Sequence, residues 1–227
     1  MIYKSYLVEA NLDLLKNNII LFYGENYGLL NDLKKKLLKK INTQRILLSQ
    51  EEILKDQNKL IGEIKNVSLF DDTKVLFIND ASDKILNLVE EIQHYINDNK
   101  VFVFANTLEK KSKLRNFFEK SNKCDVVPCY QDNRLAIEKI IKNELNGFNG
   151  ITQNVINLFL DNCGLDRIKI SNEIEKVKTY FINKNITQVE LEKLLNQNEN
   201  EDFSLLRNAV LEGNSFLTNR LINNTLL

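Results

Sequence analysis

The sequence has few of the residues on which enzyme active sites depend. Its 227 residues include one histidine, one proline, three cysteines and no tryptophan. His94 stands in no Ser-His or Cys-His spacing of a known type, so acid-base and nucleophilic catalysis lack evident participants. The thiols of Cys124, Cys129 and Cys163 match no zinc-ligand spacing, and we expect them to be reduced and mostly buried. The sequence therefore predicts no catalytic residue and no metal site.

Net charge and long apolar runs are also missing. The chain has 31 basic and 31 acidic residues, so no overall field attracts nucleic acid or a membrane surface. No apolar run approaches the length of a membrane-spanning helix, and residues 1–12 lack the apolar core of a signal peptide. We therefore expect a cytoplasmic protein without membrane association. A hydrophobic content of 43% suffices for buried cores.

A strand-turn-helix pattern near the start of the chain organises the remaining features. The unbroken apolar run Ile19 to Tyr23 predicts a central strand of a parallel sheet, and the apolar spacing from Leu29 to Ile41 predicts a helix. Nucleotide-binding α/β domains begin in this way, with phosphate at the helix N-terminus. Gly24 and Gly28, however, are not followed by the lysine and hydroxyl of a phosphate-binding loop. We interpret the glycines as a tight turn and expect no bound cofactor.

Further apolar runs alternate with helical patterns, which predicts a parallel sheet covered by helices on both faces. These strands are expected at Arg45 to Leu48, Val75 to Ile78, Val101 to Ala105 and Asp125 to Val127. After the third strand, Asn79-Asp80 stands where ATPases of this architecture carry an acidic pair for Mg²⁺. We interpret Asp80 as a helix cap rather than a metal ligand. This α/β domain is expected to span residues 1–130.

The second half of the chain lacks comparable strands. Residues 131–196 show helical periodicity and predict a small helical domain. The segment Asn196 to Asp202 is polar and acidic, which is typical of a linker. Residues 197–227 restart an apolar helical pattern that is too short to enclose a core. We expect them to be the beginning of a truncated third domain.

A basic segment follows the fourth strand and is the strongest candidate for contacting phosphate. Its cationic residues are Lys110, Lys111, Lys113 and Arg115. They can contact DNA, or they can form the solvated face of a helix whose inner face includes Leu114 and Phe118. The residues favour the solvated face, and DNA contact stays open.

A polar connection before the third strand contains two large apolar residues, Leu69 and Phe70, preceded by Ser68. Such residues are either folded beneath the loop or displayed to a partner. Composition alone favours the buried arrangement, and both alternatives stay open on the residues themselves.

Taken in order, several short segments resemble the delta subunit of bacterial DNA polymerase III, the clamp-loader subunit that opens the sliding clamp. The first is Leu21-Phe22-Tyr23-Gly24-Glu25-Asn26, before the first predicted helix of the α/β pattern. The others are Ser68-Leu69-Phe70, Lys111-Ser112-Lys113-Leu114-Arg115, Val127-Pro128-Cys129-Tyr130, Gly164-Leu165-Asp166-Arg167 and Glu173-Ile174-Glu175-Lys176-Val177. Together these segments are distributed over nearly the whole chain.

The resemblance implies an AAA+-like fold without ATPase motifs, acting as a non-catalytic part of a DNA-directed DNA polymerase holoenzyme. It implies that Leu69 and Phe70, with Ser68, insert into the sliding clamp. The implied partners are this clamp, the gamma/tau and delta prime subunits bound through a helical collar domain, and DNA through the complex. Because only residues 197–227 match the collar, we expect weakened assembly.

Two alternatives from other functional classes stay open. The chain can be a nucleotide-binding enzyme with a degenerate phosphate loop, although the absent lysine counts against this reading. It can also be a stand-alone DNA-binding module, a reading that rests on the basic segment alone.

Overall fold

A computed structural model describes residues 1–65, 73–195 and 203–225. The chain divides into two compact units, Met1–Asp132 (unit 1) and Asn133–Leu227 (unit 2). The three-domain division with boundaries after residues 130 and 196 stays a prediction. Among the residues just given, no helix is long and apolar enough to cross a membrane.

Unit 1 is built on a parallel sheet. Its strands are β1 (Ile19–Tyr23), β2 (Arg45–Ser49), β3 (Val75–Asn79), β4 (Lys100–Ala105) and β5 (Cys124–Pro128). Their order is β2-β3-β4-β1-β5, and every neighbouring pair is parallel. This pairing confirms the predicted parallel sheet. Since β1 lies between β4 and β5, all five of its residues are buried, as its unbroken apolar run predicts.

Helices cover both faces of this sheet. They are α1 (Ser5–Ala10), α2 (Tyr27–Lys40), α3 (Gln50–Lys55), α4 (Gln57–Lys65), α5 (Leu86–Ile92) and α6 (Lys113–Lys120). On the face of α2, the ring centroids of Phe22 and Phe104 are 4.9 Å apart in a stacked pair. On the other face, Leu21 and Tyr23 belong to the core that includes Leu114 of α6. Burying each large apolar side chain contributes about 1.5–3 kcal/mol.

Local capping explains most helix boundaries. Residues 49–52 have the S-x-x-E sequence of a capping box, and the structure contains one: Ser49 Oγ accepts from the Glu52 N–H while Glu52 accepts from the Ser49 N–H. The sequence of residues 5–16 predicts one short helix, but the structure forms α1 only over Ser5–Ala10, so this prediction is wrong in its second half. There, Asn11 Oδ1 accepts from the Asp13 N–H at 2.9 Å, and a 3₁₀ turn replaces the α-helix.

The described residues of unit 2 form helices joined by turns and loops, with one isolated parallel bridge between Asn149 and Asn185. Its helices are α7 (Arg134–Glu144), α8 (Gln153–Cys163), α9 (Arg167–Tyr180), α10 (Gln188–Leu194), α11 (Phe203–Leu211) and α12 (Ser215–Thr225). A core that includes Ile137, Phe159, Ile174 and Leu191 joins the first four of these helices. The cysteines are free and buried as predicted, and burial raises the pKa of Cys163 to about 11.

Candidate functional site

The turn between β1 and α2 is closed by the main chain that follows β5. The Cys129 N–H donates to the Tyr23 carbonyl at 2.7 Å, and the Cys129 carbonyl accepts from the Asn26 N–H at 3.1 Å. Gly24 lies between these bonds with φ of 151°, and a Cβ there would be 2.0 Å from the Cys129 oxygen. Only glycine fits this approach without moving the chain. The turn therefore has the tight form predicted from its glycines.

Side chains complete the closure at the N-terminus of α2. Asn26 is buried, and its Oδ1 accepts from the Leu29 N–H at 3.0 Å. Its Nδ2 donates to Asp132 Oδ2 at 2.7 Å and to the Tyr130 carbonyl at 3.1 Å. A phosphate at this helix terminus would compete with these protein groups for the same N–H donors. The geometry gives a physical basis for the prediction that this terminus holds no nucleotide.

A cleft of about 400 Å³ lies beside α2 at the carboxyl ends of β2, β3 and β4. Lys34 of α2 is among its lining residues and donates from Nζ to Asn79 Oδ1 at 2.6 Å. The same ammonium lies 5.9 Å from the ring centroid of Phe104. The sequence suggests that Lys34 is one of several solvated lysines, and no sequence signal marks its place in this cleft.

Asp80 also lines this cleft, in a left-handed conformation with φ of 56°. The interpretation of Asp80 as a helix cap is wrong, because Ser82 is the N-cap of the following turn. Aspartate tolerates the left-handed region better than most residues, which explains its position directly after β3. Within the described ranges, no group of three or more His, Cys, Asp or Glu side chains is arranged to hold a metal ion.

The basic segment enters α6 through a network centred on Asp83. Asp83 Oδ1 accepts from Ser112 Oγ at 2.6 Å and from the Leu114 N–H at 3.0 Å, while Oδ2 accepts from the Lys113 N–H at 3.2 Å. The bond from Ser112 contributes most to lowering the pKa of Asp83. A carboxylate of this chain thus occupies the place at the helix N-terminus where an external anion would bind.

The structure separates Arg115 from the three lysines of the basic segment. Arg115 donates from Nε to Glu119 Oε1 at 2.8 Å and from Nη1 to the Leu108 carbonyl at 3.2 Å. Its guanidinium lies 5.0 Å from the ring centroid of Tyr23, whose hydroxyl donates to Glu119 Oε1 at 2.8 Å. Burial is the largest cause of the raised pKa of Tyr23. Arg115 is therefore held by contacts within unit 1.

The lysines of this segment have a different environment. Lys110, Lys111 and Lys113 are all exposed, and Lys111 forms an ion pair with Glu109 at 3.0 Å in which both side chains are solvated. Such exposed pairs contribute little to stability. These three lysines are accessible to a partner, whereas a contact of Arg115 with DNA, the alternative left open, would compete with its bonds to Glu119 and Leu108.

Ser68, Leu69 and Phe70, the predicted clamp-binding residues, lie outside the described residues. The described chain on either side of them is the end of α4 at Lys65 and the start of β3 at Val75. In a parallel sheet, the amino end of β3 and the carboxyl end of β1 lie at opposite edges. The strand that follows these residues in the chain, β3, therefore begins at the edge opposite the β1–α2 turn.

Comparisons with known proteins identify the fold. No family model and no curated protein matches the sequence. The solved structure of the Bacillus subtilis DNA clamp loader delta protein (YqeN) is similar over 98% of this chain and 70% of its own, with 14% identity and a TM-score of 0.61. The Thermotoga maritima RuvB Holliday junction branch migration motor matches over 84% of this chain and 66% of its own, with 15% identity and a TM-score of 0.51.

A third structure, Rhizobiales Trip13, matches over 85% of this chain and 81% of its own, with 11% identity and a TM-score of 0.50. The predicted fold is confirmed: unit 1 has an AAA+-like α/β fold, with the strand order described above. The likeness to a clamp loader delta protein supports the resemblance drawn from the short sequence segments, and at 14% identity it is a likeness of fold.

Replacing Gly24 by alanine tests the closed turn. We expect Gly24→Ala to lower the free energy of unfolding by about 2 kcal/mol or more, since the new methyl group meets the Cys129 carbonyl and the backbone is strained. Gly62→Ala, in the interior of α4 with no atom within 4 Å of the added Cβ, should instead stabilise the chain by about 0.5–1 kcal/mol. Denaturant titrations of both variants measure this, and equal stabilities would contradict the assigned contact.

The Asp83 network predicts a pH-dependent contribution to stability. Because the folded chain lowers the pKa of Asp83, this contribution is fully present above about pH 4 and is lost as the pH falls through the folded-state pKa. We expect Asp83→Asn to lower the free energy of unfolding by about 1 kcal/mol near pH 7 and by less near pH 3. Ser112→Ala, which removes the largest cause of the shift, should reduce the pH dependence as well. Parallel pH profiles of unfolding for wild type and Asp83→Asn would contradict the network.

Proposed function

We propose that this chain is a delta-type clamp-loader subunit, which binds and opens the sliding clamp so that it can be loaded onto primed DNA during replication. The observation that carries the proposal is the extent of the structural likeness. The clamp loader delta protein matches 98% of the chain and thus includes nearly all of unit 2 as well as unit 1, at a higher TM-score than the branch migration motor. The ordered sequence segments support the same assignment.

The closed β1–α2 turn favours a subunit that acts by binding. ATP hydrolysis needs a phosphate cradle and a cation at the β- and γ-phosphates, whereas here the turn donors contact Cys129 and Asn26. We therefore propose that the chain is not itself an ATPase and that partner subunits supply ATP hydrolysis. The alternative of a nucleotide enzyme requires this turn to open.

The clamp contact proposed from the resemblance consists of Leu69 and Phe70, with Ser68 beside them. A short apolar pair is a sufficient anchor, because truncating one residue at the centre of an interface commonly weakens binding by 2 kcal/mol or more. The described chain after these residues begins β3 at Val75, and we propose that the clamp contact lies on the side of unit 1 where β3 begins.

For DNA, we propose a minor and nonspecific role of Lys110, Lys111 and Lys113. Exposed lysines that contact phosphates give salt-sensitive binding without sequence preference. Arg115, by its contacts with Glu119 and Leu108, is better explained as a structural residue. The alternative of a stand-alone DNA-binding module would require tight binding to primed DNA at physiological salt.

Assembly with gamma/tau and delta prime subunits is proposed to run through the region of residues 197–227, whose described part is the helix pair α11 and α12. We propose that the protein acts in the cytoplasm with the replication machinery. Equilibrium binding of the purified chain to sliding clamp, ATP and primed DNA separates the three functional readings.

Truncating the apolar pair tests the clamp contact. We expect Leu69→Ala with Phe70→Ala to weaken clamp binding at least roughly tenfold per residue, since each buried side chain contributes about 1.5–3 kcal/mol and 1.4 kcal/mol is one decade. The melting temperature should be nearly unchanged. Calorimetric titration against the clamp and thermal unfolding together measure both effects.

A matched control is the exposed adjacent pair Tyr6 and Leu7 in α1, with 61% and 44% of their surface accessible. Tyr6→Ala with Leu7→Ala should leave clamp affinity unchanged. If truncating Leu69 and Phe70 instead unfolds the chain, by the roughly 2–5 kcal/mol per site of a core cavity, the residues are packed beneath their loop and the assignment is wrong. A stable variant that binds the clamp normally would contradict it equally.

A further inference from the structure

The cleft at the carboxyl ends of β2, β3 and β4 has no part in the clamp contact proposed above. Parallel α/β sheets bind their ligands outside the carboxyl ends of the strands. The volume of this cleft, about 400 Å³, is at the lower end of the roughly 300–1,000 Å³ that is typical of ligand pockets. It therefore has room for a small molecule or for one unit of a polymer.

A fixed ammonium supplies positive charge to the cleft. Lys34 Nζ donates to Asn79 Oδ1 at 2.6 Å, and Asn79 Nδ2 donates in turn to the Leu48 carbonyl at 3.4 Å. Because both ends of the Asn79 carboxamide are bonded, it holds the ammonium at the wall of the cleft. An ammonium has three donors, so an oxyanion can accept from Lys34 without displacing Asn79.

Three further polar side chains line the cleft and are available to a ligand. Among the residues that the structure describes, Asn31, Asp80 and Asn106 form no side-chain hydrogen bond or ion pair, and all three are exposed. The main chain beside Asp80 is fixed, because the Ala81 N–H donates to the Phe104 carbonyl at 2.9 Å. The cleft thus presents two carboxamides and one carboxylate without internal partners.

An aromatic ring completes the lining. Tyr27 lines the same cleft, and 51% of its surface is exposed. A base can stack on such a ring, since every base has a π face. Carboxamides and carboxylates can bond the pairing edge of a base, which is free only when the base is unpaired. A stacking ring, partners for a base edge and a cation for phosphate are together suited to a single strand.

We propose that this cleft binds one unpaired nucleotide of single-stranded DNA. The base stacks on Tyr27, and the phosphodiester contacts the ammonium of Lys34. The side chains of Asn31, Asp80 and Asn106 bond the pairing edge of the base. The choice of DNA over RNA rests on the proposed function, in which the chain acts on primed DNA, whereas the site itself does not depend on clamp binding.

Charge favours a nucleotide within a strand over a free one. A phosphodiester carries one negative charge, whereas the phosphate monoester of a mononucleotide carries about two near pH 7. Lys34 is the single cation among the described residues that line the cleft, and Asp80 places a carboxylate there. Because Asp80 repels the doubly charged group more strongly, the cleft favours a phosphodiester over a mononucleotide or ATP.

Fluorescence anisotropy of a labelled oligothymidylate, titrated with the whole chain over a range of low salt concentrations, tests the site. We expect Tyr27→Ala to weaken binding about five- to tenfold, because the stacking surface is lost. Lys34→Gln should make the plot of log affinity against log salt shallower by about 0.7, the value for one phosphate contact on a single strand.

Matched controls separate the cleft from the rest of the surface. Tyr6→Ala removes a tyrosine of α1 that is 61% exposed, and Lys35→Gln removes an exposed lysine of α2 that does not line the cleft. Both should leave the affinity and the salt slope unchanged. No binding by the wild-type chain, or equal effects of the control and cleft variants, would overturn the proposal. If Lys34→Gln does not fold, Asn106→Ala at an exposed position replaces it and should weaken binding.

Replacing Asp80 tests the preference for a strand. Asparagine tolerates the left-handed backbone of this position, so Asp80→Asn removes the charge and keeps the shape. We expect it to tighten the binding of thymidine monophosphate several-fold, and an unchanged affinity would contradict the assigned place of the phosphate. Oligouridylate that binds more tightly than oligothymidylate would overturn the choice of DNA.

Clamp affinity of the same variants distinguishes this proposal from the proposed function. Tyr27→Ala and Lys34→Gln should bind the clamp as the wild-type chain does, because β3 begins at the opposite edge of the sheet. If the wild-type chain binds the clamp but not oligothymidylate, only the cleft assignment fails. If it binds oligothymidylate through Tyr27 and Lys34 but not the clamp, the proposed function fails and the nucleotide site stands.

Discussion

The hydrogen-bonded contact between Cys129 and the β1–α2 turn is the constraint on which unit 1 depends. It joins the carboxyl end of β5 to Tyr23 and Asn26, and the missing Cβ of Gly24 makes the approach possible. The contact orients the first turn of α2, whose N-cap Asn26 also bonds Asp132 near the end of unit 1. One turn thereby links β1, α2 and the chain after β5. The main-chain N–H groups that make these bonds are at a helix N-terminus, which is where nucleotide-binding folds hold phosphate.

Hydrogen bonds within unit 1 stabilise the structure at both edges of the sheet. At the carboxyl edge, Asp83 accepts hydrogen bonds from the start of α6 and Arg115 donates to Glu119, so these two charged side chains stabilise the fold. At the amino edge, Asn99 accepts from the Lys74 N–H and donates to the Ile64 carbonyl, which links α4, β3 and the chain before β4.

The sequence predicts features that depend on neighbouring residues. The run Ile19 to Tyr23 and the Ser49 capping box are encoded locally, by apolar periodicity and by side chains that bond their own helix. Such local patterns do not identify residues whose hydrogen-bond partners lie in distant segments of the chain. Asp80 lines a cleft rather than capping a helix, and Arg115 differs from the adjacent lysines because Glu119 and Tyr23 lie beside it. No motif distinguishes Asn99 from the chain's other asparagines, since its partners are main-chain groups of other segments.

The central claim is that the chain binds its partner without using a nucleotide of its own. The most direct measurement is the affinity of the purified wild-type chain for the sliding clamp, determined with and without ATP and Mg²⁺. Our account predicts specific binding with the same dissociation constant in both conditions, because the β1–α2 turn is closed by Cys129 and Asn26. Absence of binding, or binding that requires ATP, would contradict it.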